Sequence, residues 1–292
     1  MQPTGILTVD LEDWYHGNYD SLDLSSSETL ESHVVEYTDI LLDVFRRHAC
    51  KATFFTLGVI AEEHPDLLRA IAEEGHEIAC HGYGHARVSG LGPEGFRADL
   101  RKAKDAIYQA CGQQPRGFRA PSWSISPPRW NAGDEAMWPL QILAQEGFTY
   151  DASLFPFKTY LYGVEGAPTV PHSLRLRGGA SIFELPACAV TMGGRRWPLG
   201  GGFYFRAMPL PLTCFLYRRY FKTNALPFMY YIHPREVSAR QPRLKLSFKE
   251  SLIHRFNLKR NKHKLEGLLA RFPFITAQEF LESHGHSLGL YR

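Results

Sequence analysis

His81 and His85 stand four positions apart in "CHGYGH" (80–85), with Gly82 and Gly84 between them. Two imidazoles this close in a chain can share a divalent cation. One added carboxylate completes a two-histidine, one-carboxylate set, the arrangement by which catalytic zinc keeps positions open for water. The glycines argue against a helix and for a loop that leaves a strand, and taken alone the pair fits an ordinary glycine turn better. "TVDLEDWYH" (8–16) changes that balance with Asp10, Glu12 and Asp13. Three carboxylates so close repel one another unless a cation lies between them or their tasks differ. One can bind the metal while another, near it but unligated, serves as general base; the alternative is an acidic helix cap or a solvated loop. "GFRAPSW" (117–123) supplies Arg119, able to hold a carboxylate ionised and oriented, or simply to sit at the surface. "YYIHPRE" (230–236) places His233 after an apolar run, and Asp151 of "YDAS" is a natural partner to orient it and raise its pKa.

These residues need elements that bring them together. "GILTVD" (5–10), "KATFFTLG" (51–58), "HEIACHG" (76–82), "RGFRAP" (116–121), "TYDAS" (149–153) and "PFMYYIHP" (227–234) read as buried strands. Between them lie segments of helical spacing at 25–48, 64–75, 92–112, 138–148 and 209–222, with a further helix at 262–272 and a last strand and short helix at 273–282. Alternation of this kind predicts parallel βαβ units, either a doubly wound sheet or a barrel, and in both the functional residues gather at the carboxyl ends of the strands. Asp10, His81, Arg119 and Asp151 all fall at such ends. The alternation breaks at 156–206, a stretch rich in Gly, Pro and aromatics that reads as an irregular or short-stranded insertion. Gly200–Gly202 within it do not open a helix after a strand, so a flexible rim is expected there rather than a phosphate cradle.

The 292 residues suffice for one α/β barrel. Their net charge of +3 is too mild to imply nucleic acid. Five scattered cysteines without C-x-x-C spacing argue against a disulfide framework or a thiolate zinc site and fit a reducing compartment. With no visible secretory signal and no long apolar run, a cytoplasmic location is expected. The stretch 243–264 holds eight Lys or Arg and one Glu. It reads as a solvated basic helix or as a patch for anionic lipid headgroups or a diphosphate-linked glycan, peripheral at the inner membrane face. The signatures H-E-x-x-H, G-x-S-x-G, G-x-x-x-x-G-K-[ST] and G-x-G-x-x-G are absent.

In their order along the chain, "TVDLED", "HGYGH", "FRAPSW", "YDAS" and "YYIHP" resemble the polysaccharide deacetylases of carbohydrate esterase family 4, which share the nodulation-type deacetylase fold. "LEDW", "RAPSWS", "GGGFYFR" and the tail from "YYIHPREVSARQPRL" resemble the branch associated with exosortase and exopolysaccharide clusters. The resemblance implies a distorted (β/α) barrel of about seven strands, an incomplete TIM-like fold. Residues 1–292 would form a single catalytic domain with a basic C-terminal extension from about 238 packed on it. The implied activity is metal-dependent hydrolysis of the N-acetyl group of an amino sugar in a bacterial polysaccharide, oligosaccharide or carrier-linked glycan, releasing acetate. It assigns His81 and His85 as ligands of a divalent metal, zinc foremost with cobalt, nickel or manganese as alternatives. Where the common family motif has two adjacent aspartates this chain has "DLED", so the third ligand is Glu12 or Asp13. Asp10 would be the general base, held by Arg119; His233 the general acid, supported by Asp151. Trp14, Ser122, Trp123 and Tyr204 would contact the sugar, and a backbone N–H near Ser122 or Trp123 would receive the oxyanion. Rival expectations are a deformylase on the same scaffold and an inactive carbohydrate-binding member.

Overall fold

The sequence "GILTVDL" alternates too little to have a wet face, and as β1 (Gly5–Leu11) it is buried along its whole length, as expected of an inner strand of a parallel sheet. The computed structural model describes residues 2–17, 19, 31–127, 134–159, 162–242 and 244–291. Around β1 lie β2 (Thr53–Thr56), β3 (Glu77–Cys80), β4 (Gly117–Phe118), β5 (Tyr150–Asp151), β6 (His172–Arg175), β7 (Ser181–Glu184), β8 (Ala189–Met192), β9 (Arg195–Pro198), β10 (Phe228–Ile232), β11 (Phe274–Ile275) and β12 (Leu290–Tyr291). The main sheet runs β10-β1-β2-β3-β4-β5-β7-β6-β12, and β11 also pairs with β1. From β10 to β7 every pairing is parallel. The sheet curls into a half-barrel, the distorted barrel expected.

The helices are α1 (Val34–Arg47), α2 (Gly58–Glu63), α3 (Pro65–Glu73), α4 (Val88–Cys111), α5 (Trp138–Gln145), α6 (Gly202–Ala207), α7 (Leu210–Asn224), α8 (Phe248–Arg255), α9 (Leu258–Leu269) and α10 (Ala277–His284). In α1, Val34, Tyr37, Thr38, Leu41, Leu42 and Phe45 are buried, one stripe at helical spacing turned to the sheet. Pro65 opens α3, and Gly112 closes α4 in a left-handed cap.

Several boundaries differ from expectation. The first helix starts at Val34 rather than at 25; residues 20–30 lie outside the described residues. The helix at 92–112 begins one turn earlier, at Val88, and kinks at Gly92–Pro93 because proline removes a ladder hydrogen bond. The 156–206 stretch takes the short-stranded form of the two expected. It adds β6 and β7 to the main sheet, forms the β8–β9 hairpin and ends in α6. Contrary to expectation, Gly200–Gly202 follow β9 and open a helix, α6, at Gly202; Gly201 bridges to Tyr231 on β10, and a Cβ there would collide with the Tyr231 carbonyl. The five cysteines are all free thiols. Among the described residues no helix is long and apolar enough to cross a membrane.

Candidate metal centre and active site

Parallel pairing puts the carboxyl ends of neighbouring strands at one edge of the sheet. Asp10 ends β1 with Glu12 just beyond it, His81 follows β3, Arg119 follows β4 and His233 follows β10. Asp10, Glu12, His81 and His233 line a cavity of about 420 Å³ whose wall also includes Ser122, Trp123, Tyr162, Phe203 and Tyr231, and Arg119 lies behind Asp10. The expected loop after β3 carries the histidines. Gly82 makes its turn with φ +79°, a conformation only glycine adopts freely, and His85 is held at φ +62°.

Glu12, His81 and His85 form one group, with a ligand atom from each lying within 4.8 Å of the others. Glu12 Oε2 is 2.6 Å from His85 Nε2 and 3.9 Å from His81 Nε2. It is deeply buried, and the His85 imidazole is its close polar partner. A carboxylate oxygen buried between two imidazole nitrogens needs a positive partner, a protonated imidazole or a bound cation, to offset its charge. The His81 tautomer agrees: Nδ1 is 2.7 Å from the Arg119 carbonyl, so Nδ1 carries the proton and the Nε2 lone pair points into the group. Burial lowers the His81 pKa to about 4, and that imidazole is neutral at pH 7. Burial alone would raise the Glu12 pKa. The charge and hydrogen bond of His85, with the charge of His233, outweigh it and hold the carboxyl well below its ordinary value. This donor set fits a divalent cation of the zinc type.

The structure takes Asp13 out of the ligand set. Its Oδ1 accepts the Trp14 N–H at 2.8 Å and both oxygens accept the His33 N–H, tying the loop to the start of α1. This is the acidic cap that the spacing also allowed.

Across the cavity, Arg119 Nη1 donates to Asp10 Oδ1 at 2.5 Å and to Thr8 Oγ1 at 2.9 Å. The guanidinium is fully buried, donates through Nε to Ala152 O and lies on the Phe55 ring. It therefore fixes one oxygen of Asp10, while Oδ2 faces His233 Nε2 at 3.8 Å. His233 Nε2 is also 3.6 Å from Glu12 Oε1.

Asp151 does not support His233. It is buried with Glu184, its Oδ1 accepting from Ser153 Oγ at 2.6 Å, and that same hydroxyl accepts the Ala120 N–H. Asp151 thus braces the strand end that carries Arg119. The partner of His233 is Glu236, whose Oε2 lies 3.1 Å from His233 Nδ1 and accepts the His233 backbone N–H at 3.1 Å. Burial would lower the His233 pKa, but the hydrogen bond to Glu236 and the charge of Glu12 raise it above its ordinary value. Glu236 Oε1 accepts from buried Arg206 Nε at 2.8 Å. The missed signal was the i, i+3 spacing in "HPRE", by which a short helical turn brings a Glu back to its cap residue. Glu184, at the end of β7, was missed because its strand lay in the stretch read as irregular or short-stranded, with no strand placed in it.

Of the four sugar contacts expected, Ser122 and Trp123 line the cavity on consecutive left-handed residues, φ +52° and +55°. Non-glycine residues held there store strain, a feature that clusters at functional sites. The Trp123 N–H donates to Ala120 O at 3.1 Å and is not the oxyanion donor. Trp14 is turned inward, its indole N–H donating to Glu31 O. Tyr204 stacks on Phe155 and lines a neighbouring groove with Phe157, Trp197 and Leu212; Phe203 is the residue of that pair that faces the cavity.

Residues 25–136 match the family model described as "Polysaccharide deacetylase", and residues 152–282 match one described as a domain of unknown function (DUF3473). The peptidoglycan-N-acetylglucosamine deacetylase of Bacillus cereus is 34% identical over 91 residues, 31% of this chain and 33% of that protein. The chitooligosaccharide deacetylase of Rhizobium leguminosarum bv. trifolii is 32% identical over 114 residues, 32% of this chain and 53% of that protein. The match thus spans about a third to a half of these relatives' length. A Mycobacterium smegmatis crystal structure, named for polysaccharide deacetylase, has the same fold: TM-score 0.61, 20% identity, covering 100% of this chain and 94% of that one. The first family match carries both histidines and the arginine, and the remaining groups of the cavity reach them through a shared fold. Residues 25–136 are therefore similar in sequence to the polysaccharide deacetylases, and the chain as a whole shares the fold of a structure named for that activity.

Proposed function

We propose that this chain hydrolyses the N-acetyl group of an N-acetylated amino sugar in a bacterial glycan, releasing acetate. The observation that carries the reading is one cavity with a Glu12–His81–His85 ligand set on one side and Asp10 and His233 beside it. A passive sugar-binding site has no use for a base and an acid 3.8 Å apart. The relatives named above as deacetylases of peptidoglycan and chitooligosaccharide support the substrate class.

Glu12, His81 and His85 would hold the metal. A divalent cation there polarises an acyl oxygen and lowers the pKa of a water toward about 7; zinc is proposed first, then cobalt, nickel or manganese. Asp10, held by Arg119 through Oδ1, accepts the proton of the attacking water at Oδ2. A backbone N–H near Ser122 would receive the developing oxyanion. His233, its Nδ1–H directed at Glu236, protonates the departing nitrogen from Nε2, so the amine leaves neutral as the C–N bond breaks. Trp123 and Phe203 offer faces for the sugar. Residues 1–292 act as one catalytic domain, working in the cytoplasm on a precursor glycan of an exopolysaccharide.

The test is acetate release from a panel of N-acetylhexosamine glycans, with N-formyl analogues alongside, with and without chelator. The wild type is expected to release acetate, chelator to abolish release, and D10N to lower kcat by about 10²–10⁴-fold. No release from any N-acetyl sugar by the metal-loaded protein overturns the reading.

A further inference from the structure

Helix α8 is amphipathic the wrong way round for a solvated helix. Its inner face is polar: Glu250 and His254 are buried, with His254 Nδ1 3.0 Å from the Tyr19 hydroxyl. Its outer face carries Phe248, Leu252 and Phe256, which are 87%, 52% and 39% exposed. Spacing of four keeps these three on one stripe. A globular helix turns such a stripe inward; one left outward marks a surface that meets an apolar phase.

Two observations say which phase. First, the stripe is flanked by exposed cations, Arg255, Lys259 and Arg260, while the one acid of the helix, Glu250, is buried beneath it. A second copy of this chain would bring the same cations face to face, whereas an anionic lipid surface complements both the rings and the charges. Second, the stripe leads to the active site. Phe256 packs on Phe203 with ring centroids 5.7 Å apart, and Phe203 and Ile253 both line the catalytic cavity. From Phe203 the aromatic surface continues to Tyr204 and the groove lined by Phe157, Trp197 and Leu212.

We infer that α8 lies in the headgroup region of an anionic membrane and holds the cavity mouth against it, so that the glycan deacetylated is one anchored in that membrane. The docking surface stands on its own observations; only the identity of the substrate rests on the deacetylase reading.

The full chain would be floated with vesicles of phosphatidylcholine plus phosphatidylglycerol, and with phosphatidylcholine alone. The wild type is expected to bind the anionic vesicles and to lose binding as salt rises. F248S/L252S, altered only at exposed side chains, is expected to bind at least about 10-fold more weakly, with an unchanged melting temperature and unchanged turnover of a soluble chitooligosaccharide. R255Q/K259Q/R260Q should weaken binding to anionic vesicles. A wild type that fails to float, or an F248S/L252S variant that floats as well as the wild type, overturns the inference. So does a concentration-dependent dimer dissolved by F248S/L252S without any vesicle binding, which would assign the stripe to a second copy. Flotation that persists while no sugar releases acetate would refute the deacetylase reading and leave the docking surface intact.

Discussion

Asp10 and His233 face each other across 3.8 Å with opposite tasks, and what separates those tasks is the residue behind each. Arg119 behind Asp10 fixes one carboxylate oxygen and leaves the other facing the cavity; Glu236 behind His233 favours the imidazolium. Replacing Glu236 by Gln removes the charge that holds the imidazole without removing its shape. E236Q is expected to lower kcat about 10–100-fold with little change in KM. The sign of its pH effect is fixed as well. Activity that needs protonated His233 declines as pH rises through its pKa, and loss of the Glu236 charge lowers that pKa. The alkaline limb of the kcat profile should therefore move to lower pH, and an unmoved limb would refute the role. Glu12 and Asp13 separate by a different measurement. E12A is expected to lose bound metal by elemental analysis. D13A should keep it and lose about 1 kcal/mol of stability, the scale of a lost cap.

At the scale of elements, the carboxyl ends of β5 and β7 bury two acids together. Burial raises the Asp151 pKa to about 6 and that of Glu184 well above its ordinary value, the proximity of Asp151 adding to the latter. For an acid whose folded pKa lies above its unfolded value, the folded state holds the proton longer. Stability from this pair is full below about pH 4 and is lost as pH rises through about 6 and beyond. Each group contributes a slope of at most about 1.4 kcal/mol per pH unit in that window. E184Q, which can donate to Asp151 without a proton, is expected to flatten the decline in denaturant midpoint between pH 4 and 7. An unchanged slope would mean that the pair does not share a proton in the folded chain. The consequence for the site is indirect, since Asp151 holds Ser153, and Ser153 holds the Ala120 N–H beside Arg119.

For the molecule as a whole, the residues from 238 onward are part of the architecture rather than an appendage. They supply β11 beside β1 and β12 beside β6. Arg206, which holds Glu236, is itself held by the carbonyls of Ile253 and Phe256, and Asn261 donates to the Glu236 carbonyl at 3.0 Å. Leu265 and Leu268 of α9 are fully buried in the main core. L265A is expected to cost about 2–5 kcal/mol in chemical denaturation. A cost below about 1 kcal/mol would show that α9 packs loosely and that the Glu236 clamp does not depend on it.

Read alone, the sequence determined the parallel βαβ order, the loop histidines and the strand-end placement of Asp10, His81, Arg119 and His233. Those features are local: periodicity of two or 3.6, a glycine turn, and an acid or base at the end of an apolar run. It left Glu12 and Asp13 open, because adjacent carboxylates differ only in what they face once the loop is folded. It paired His233 with Asp151, since both are strand-end residues, while the fold set β10 beside β1 and β5 four strands beyond β1. The nearer carboxylate, three residues along the chain, took the histidine instead. The inverted polarity of α8 likewise could not be read from its residues, because which face of a helix is buried is decided by what packs against it. Composition and spacing select the chemistry available; the sheet order and the packing around it decide which side chains meet.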